Sequence, residues 1–245
     1  MTIWTADVLQ SNFRPYAQTV WRVVEAQHIA STMKLVDTLS EQKILEDELE
    51  AVKPQIPPHA ESLHYLLARP FAFQDYPRAS RFRPSGISEG VYYAAEHVET
   101  AIAEMSFSRL LFFTESPACS WPTQPGDYTA FSVPIATQNA IQVSDLQDGH
   151  KALHPHDYSK SQELALKIRQ ASGDTIIYRS ARDPKHRNNV ALLTSDPFQS
   201  KTPKQPTQTW IMHIQRGRVR ARRDFPSLDL EFLISDFDDP RLNGV

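Results

Sequence analysis

The stretch Val91-Tyr92-Tyr93-Ala94-Ala95-Glu96-His97-Val98-Glu99-Thr100-Ala101-Ile102-Ala103-Glu104-Met105 changes its period midway. Its first five residues are β-branched, aromatic and small, and predict a strand. From His97 to Arg109 the pattern is helical: Thr100 and Glu104 share one face, while Val98, Ile102 and Met105 are better placed for a core. Periodicity alone makes Glu104 a surface glutamate on the helix that follows the strand of Tyr93. Its neighbours Ala101, Ile102, Ala103 and Met105 are too apolar for an ordinary solvated helix, so Glu104 is a candidate functional residue.

Outward from this stretch, Val20 to Val24, Tyr128 to Val133, Ala140 to Val143, Thr175 to Tyr178, Val190 to Leu193, Thr209 to Gln215 and Val219 to Ala221 read as strands. The second and third of these are separated by a turn, and the last two form a hairpin around Arg216-Gly217. Thr32 to Val52 has helical period, with Leu35, Val36, Leu39, Ile44, Leu45 and Leu49 as an apolar stripe and acidic residues opposite. That stripe is expected to pack on the body, a docking surface for a partner being the alternative. Lys53-Pro54 and Pro57-Pro58 end the helix, and His64 to Ala68 adds a helical turn. Ser159-x-x-Gln162 reads as a capping box opening a helix that stops at Gly173. The acidic end from Asp236 to Val245 lacks periodicity and is expected to be partly disordered. Strands outnumber helices without βαβ alternation, which predicts an α+β fold of mixed strands with flanking helices rather than a doubly wound sheet.

A hydrophobic fraction of 40% and a charged fraction of 22% are ordinary for a water-soluble globular chain. The net charge of −3 argues against a general nucleic-acid binder, which needs a basic surplus. The local run Arg216, Arg218, Arg220, Arg222, Arg223 alternates along a strand and reads as a solvated face. Cys119 is the single cysteine, so no internal disulfide can form, and its Pro-rich surroundings read as a loop rather than a nucleophile's setting. No signal-like leader and no stretch of about 20 apolar residues is present, so the expected location is the cytoplasm. With seven glycines and no Gly-rich phosphate loop, Rossmann and P-loop readings have almost no support. His150, His154 and His156 lie near Asp148 and Asp157 but lack a recognisable ligand spacing, so no metal is expected.

Two further segments concentrate unusual residues. Arg81-Phe82-Arg83-Pro84-Ser85-Gly86 precedes Tyr93, and Tyr178-Arg179-Ser180-Ala181-Arg182-Asp183-Pro184 leads from a strand into a turn before Asn188-Asn189. Asp183-Pro184 is a turn signal by itself, yet strand ends also present hydroxyls and amides to ligands.

Arg22 in a strand, the segment Arg81 to Gly86, the unit Tyr93-x(10)-Glu104 and the turn Tyr178-x-Ser180-x-Arg182 occur in the order that resembles the RES-domain family, over roughly Trp21 to Leu193. The Thr32–Val52 helix is similar to the longer subgroup of that family. The resemblance implies one RES-type domain over residues 1–245, with a helical insertion at about 32–68 and a flexible tail at 236–245. It implies a fold like that of NAD-dependent ADP-ribosyltransferases, with NAD⁺ as substrate in a cleft. Arg22 and Arg81 are then expected to hold the diphosphate or flanking ribose, Tyr93 to pack on the nicotinamide side, Glu104 to act on the nicotinamide ribose, and Ser180 and Arg182 to contact the cofactor. Two departures stand out: Val23 follows the first arginine where the family often has an aromatic, and Arg83 competes with Arg81 for the diphosphate.

The chemistry suits these residues. Guanidinium groups bind phosphate oxygens in bidentate fashion. Cleavage of the nicotinamide–ribose bond builds positive charge on the sugar, which one carboxylate can stabilise. Nicotinamide leaves as a neutral molecule, so no paired acid is required. The implied activity is NAD⁺ degradation by a glycohydrolase or phosphorylase acting as the toxin of a bacterial toxin–antitoxin pair, with an Xre-type antitoxin as partner. The alternatives are protein ADP-ribosylation from the same cleft and an antitoxin-binding protein with little catalysis.

Overall fold

The computed structural model describes residues 4–26, 36–52, 54–73 and 79–242. Helix α1 (Ala6–Ser11) leads into strand β1 (Arg14–Glu25), and helices α2 (Leu39–Ala51) and α3 (Tyr65–Ala68) follow. Strand β2 (Tyr92–Ala95) and helix α4 (Val98–Glu115) come from the period-changing stretch, followed by strand β3 (Gly126–Gln142) and helix α5 (Ser159–Gln170). Strands β4 (Thr175–Arg179), β5 (Asn188–Leu192), β6 (Lys204–Gln215), β7 (Arg218–Arg223) and β8 (Leu228–Leu233) complete the α+β fold.

The spine is the antiparallel pair of β1 and β3, with Trp21 opposite Ser132 and Arg22 opposite Phe131. Followed along the hydrogen bonds, β1–β2–β5–β4–β3 returns to β1, while β6–β7–β8 continues from β3 as an open arm. Gly217, at φ +80°, makes the turn of the β6–β7 hairpin, a conformation that glycine adopts without strain.

The sequence predicts two strands and a turn where the structure has the single strand β3. Pro134, which suggests a break, is accommodated because its edge there meets a loop: Gln199 N donates to Pro134 O, and Ala136 N donates to Pro197 O. On an antiparallel strand a residue's N–H and C=O face the same neighbour, so the missing N–H of Pro134 costs no bond to β1.

Three apolar clusters hold the layers together. Ile102, Phe107 and Leu110 of α4 pack on Trp210, Met212 and Val219 of the arm. Leu164 and Ile168 of α5 meet Leu9, Ile176 and Phe82, and Leu67 and Phe71 cover Val20, Tyr92 and Phe131. Burying α4 so thoroughly explains why its sequence is apolar nearly all round.

Several local expectations need correction. Helix α2 starts at Leu39, set by a reciprocal cap in which Glu41 N donates to Thr38 Oγ1 and Thr38 N to Glu41 Oε2; residues 32–35 of the expected helix lie outside the described residues. Its apolar stripe does not pack on the body: Leu39 is 82% exposed and Ile44 63%. Period identifies an apolar face but not what covers it. Helix α5 is capped one residue earlier than expected, at Tyr158 without a side-chain bond, because the Gln162 amide donates to Ser80 O at 2.9 Å instead. The left-handed residue after α5 is Ser172 (φ 68°), ahead of Gly173. Finally, in the expected tail Phe237, Asp239 and Leu242 are buried against the body, and residues 243–245 lie outside the described residues. Two buried apolar anchors and one paired carboxylate hold a segment too short to show a period.

The basic run on β7 does form a solvated face, with Arg218, Arg220 and Arg222 exposed and Val219 and Ala221 buried. Among the described residues no helix is long and apolar enough to cross a membrane.

Candidate functional site

Helix α4 and the β4–β5 hairpin meet along the face shared by Thr100 and Glu104. Thr100 Oγ1, fully buried, donates to Asp183 Oδ2 at 2.7 Å. One turn further on, Glu104 Oε1 accepts from Ser180 Oγ at 2.7 Å and from Asn189 Nδ2 at 2.5 Å. Both donors bind the same carboxylate oxygen, and Oε2 has no partner among the described residues.

Ser180 can hold this position because its oxygen also accepts from the backbone N–H groups of Arg182 and Asp183, each at 3.0 Å. Asp183 then pins the turn. Burial pushes its pKa up, but bonds from Arg187, Thr100 and the Lys185 N–H outweigh this and leave it below the usual carboxylate range. The Asp183-Pro184 turn signal is therefore a structural part of the site.

Glu104 stands in a cleft of about 550 Å³, within the range of small-ligand sites. Arg22, Arg81, Arg182 and Arg241 contribute cations to its wall, which Tyr93 and Tyr178 also line. The cleft thus brings together five residues singled out from sequence: Arg22, Arg81, Tyr93, Glu104 and Arg182. Ser180 lies behind Glu104 rather than on the wall, and Arg83 does not line the cleft.

Each arginine is held differently. Arg22 on β1 donates Nη1 to Tyr93 O at 2.9 Å and lies over the Tyr92 ring. Arg81 donates to His154 O at 2.9 Å and lies 4.7 Å from the centre of the Tyr158 ring. The turn carrying Arg81 is fastened by Tyr93, whose hydroxyl bonds Ser80 Oγ at 2.8 Å and accepts from Phe82 N at 3.0 Å. Tyr93 therefore acts on the arrangement of Arg81 as well as lining the wall. Arg182 is buried on the Phe107 ring, 3.6 Å from its centre, and its Nη2 donates to Pro155 O and Asp239 Oδ2. Its Nη1 is buried and finds no acceptor among the described residues.

Electrostatics keep the phenols neutral and the buried acid charged. Burial, and after it the charge of Glu104, raises the Tyr178 pKa well above its ordinary value; burial also raises that of Tyr93. Burial pushes Asp239 up, but hydrogen bonds from Arg241 and the charge of Arg182 bring its pKa down to about 2.

Sequence reasoning missed Asn189, Asp239, Arg241 and Tyr158 as parts of the site. Asn189 sat beside a flagged segment, and its place in a strand after a Ser-x-Arg turn was the available signal. Asp239 and Arg241 lie in an aperiodic tail that gave none. The histidines do not form a centre: His154 Nδ1 accepts from Asp157 N at 2.9 Å, and no group of three His, Cys, Asp or Glu that could hold a metal occurs among the described residues.

An α+β scaffold presenting one oriented carboxylate to a cleft walled by arginines defines the structural class of this protein. Within that class, a family model described as RES domain matches residues 56–215, and the chain belongs to this family. The match takes in Arg81, Tyr93, Glu104, Ser180 and Arg182, while Arg22 and the Asp239–Arg241 segment fall outside it. A similar solved structure is the crystal structure of the M. tuberculosis MbcT-MbcA toxin-antitoxin complex, at 9% identity over 78% of this chain and 82% of that chain, with a TM-score of 0.42. No match was found among curated proteins.

Proposed function

We propose that this RES-domain protein cleaves the nicotinamide–ribose bond of NAD⁺ and serves as the toxin of a toxin–antitoxin pair in the cytoplasm. The observation that carries the chemical part is the carboxylate of Glu104, fixed through Oε1 by Ser180 and Asn189 and facing an arginine-walled cleft. Family membership supports the toxin part and an antitoxin partner.

The donor set fits a dinucleotide. Arg22, Arg81 and Arg182 would neutralise the diphosphate, and the buried Nη1 of Arg182, which has no acceptor among the described residues, suits a phosphate oxygen. As the bond breaks, nicotinamide departs with the electron pair as a neutral molecule and positive charge develops on the sugar. The Glu104 carboxylate, oriented before the reaction by Ser180 and Asn189, stabilises that charge without reorganising. Water, which loses a proton to solvent, or inorganic phosphate then adds to the same carbon, giving ADP-ribose or a phosphorylated ADP-ribose. Tyr93 and Tyr178, kept protonated, supply ring faces and no negative charge.

The test is incubation of the pure protein with NAD⁺, with and without phosphate, followed by mass spectrometry. Free nicotinamide with ADP-ribose or its phosphorylated form is expected. ADP-ribose attached to protein would replace this reading with protein modification, and intact NAD⁺ under every condition would overturn it.

A further inference from the structure

Asn189 holds two polar atoms of different fate. Its Nδ2 donates to Glu104 Oε1 at 2.5 Å. This contact fixes the amide's orientation, because an ionised carboxylate can only accept and would repel the carbonyl oxygen. Its Oδ1 is buried and finds no donor among the described residues, although Asn189 is 2% exposed and lines the cleft. Buried acceptors are nearly always satisfied, so an orphan in a ligand cleft indicates that something else supplies the donor.

The backbone of Asn189 is fixed in the sheet. Asn189 pairs with Ala95 of β2 on one edge and Tyr178 of β4 on the other, inside a three-strand ladder. The amide and the carboxylate are joined by the Nδ2–Oε1 bond, and Asn189 Oδ1 and Glu104 Oε2 are the acceptors of this pair that have no donor among the described residues. Two acceptors on side chains bonded to each other call for a ligand that carries two donors.

We propose that Asn189 is a substrate-contacting residue which, together with Glu104, recognises the vicinal diol of the ribose that bears the leaving group. Glu104 Oε2 accepts from one hydroxyl and Asn189 Oδ1 from its neighbour, while Asn189 Nδ2 keeps the carboxylate in register with the pair. The proposal rests on the NAD⁺ reading above. It predicts that sugars lacking either hydroxyl are rejected, since a site built to bind a hydroxyl discriminates strongly against its loss.

The experiment compares NAD⁺ with two analogues, each lacking one hydroxyl of the nicotinamide ribose, on wild type, Asn189→Ala and Asn189→Asp. Wild type should lose roughly ten- to a hundredfold in kcat/KM for either analogue. Asn189→Ala should become insensitive to the loss of one hydroxyl and keep its sensitivity to the other. Asn189→Asp preserves the shape and an acceptor but sets a second carboxylate against Glu104. It should keep both discriminations, while the acid limb of its pH–rate profile moves to higher pH. Equal sensitivity of Asn189→Ala and wild type to both analogues would overturn the role of Asn189 while leaving NAD⁺ cleavage standing. If Asn189→Ala does not fold, an Asn189→Asp variant with an unshifted profile and lost discrimination overturns it equally. Absence of NAD⁺ turnover by wild type would overturn both readings.

Discussion

Ser180, just beyond the end of β4, donates its hydroxyl proton to Glu104 Oε1 on α4 at 2.7 Å, across 76 residues of sequence. The same oxygen closes the turn after β4 by accepting two backbone N–H groups. One helical turn before Glu104, Thr100 ties α4 to Asp183 of that turn. The helix and the hairpin are thereby locked at two successive positions of one helical face, and the orientation of the carboxylate follows from the lock.

Glu104→Gln tests what the lock is for. The glutamine carbonyl can still accept from Ser180 and Asn189, leaving its NH₂ where Oε2 stood, so the melting temperature should hardly change. If the charge stabilises the developing positive sugar, kcat should fall about 10²–10³-fold, equivalent to roughly 3–4 kcal/mol. NAD⁺ affinity should change much less, because that charge appears only during cleavage. Normal turnover by a normally folded variant would remove Glu104 from the mechanism.

Ser180→Ala should act on stability and activity together. It removes a donor to Glu104 and strands the N–H groups of Arg182 and Asp183, at a site 1% exposed. Denaturant melts should show a loss of about 1–3 kcal/mol. Assayed well below its melting temperature, the variant should still turn over NAD⁺ more slowly, since Glu104 keeps a single donor. Unchanged stability would contradict the bonding described for the turn.

The two arginines of the 81–86 segment separate cleanly. Arg81 lines the cleft and rests against Tyr158, whereas Arg83 does not reach the wall. Arg81→Ala should raise KM with kcat nearly unchanged, because a phosphate contact is made in ground and transition states alike; the loss should be about 2–4 kcal/mol. Arg83→Ala should leave both constants near wild type. The opposite pattern in steady-state kinetics would move the anion contact to Arg83.

How much of this was legible depends on range. Glu104 and Thr100 could be placed on one face because helical period is local, and the apolar neighbours of Glu104 marked that face as covered. What covers it, the Ser180 turn and Asn189, involves partners 76 and 85 residues away, which period cannot reveal. Arg81 and Arg83 look equivalent in sequence, and only the turn fastened by Tyr93 distinguishes them. The α2 stripe shows the reverse failure: its period is correct, yet Leu39 and Ile44 face solvent. The segment after β8 gives no sequence signal because a single buried carboxylate has no pattern, although it anchors a cleft arginine.

That carboxylate gives the chain a predictable acid limit. Asp239 pairs with Arg182 at 2.8 Å and Arg241 at 2.7 Å, and its side chain is fully covered. Its pKa lies near 2 in the folded protein against 3.8 for the free group. A depressed folded-state pKa means stability that is present above the unfolded value and lost as pH falls from about 4 through 2, up to about 2 kcal/mol here. Asp239→Asn should destabilise the protein at pH 7, because Arg182 keeps its burial and loses its counter-charge. Between pH 4 and pH 2 wild type should fall towards the variant, so the gap between their urea midpoints should narrow. The variant should also bind NAD⁺ more weakly at neutral pH, since Arg182 is both the partner of Asp239 and part of the cleft wall. A gap that stays constant from pH 7 to pH 2.5 would show that the Asp239 charge does not hold Arg182 in place.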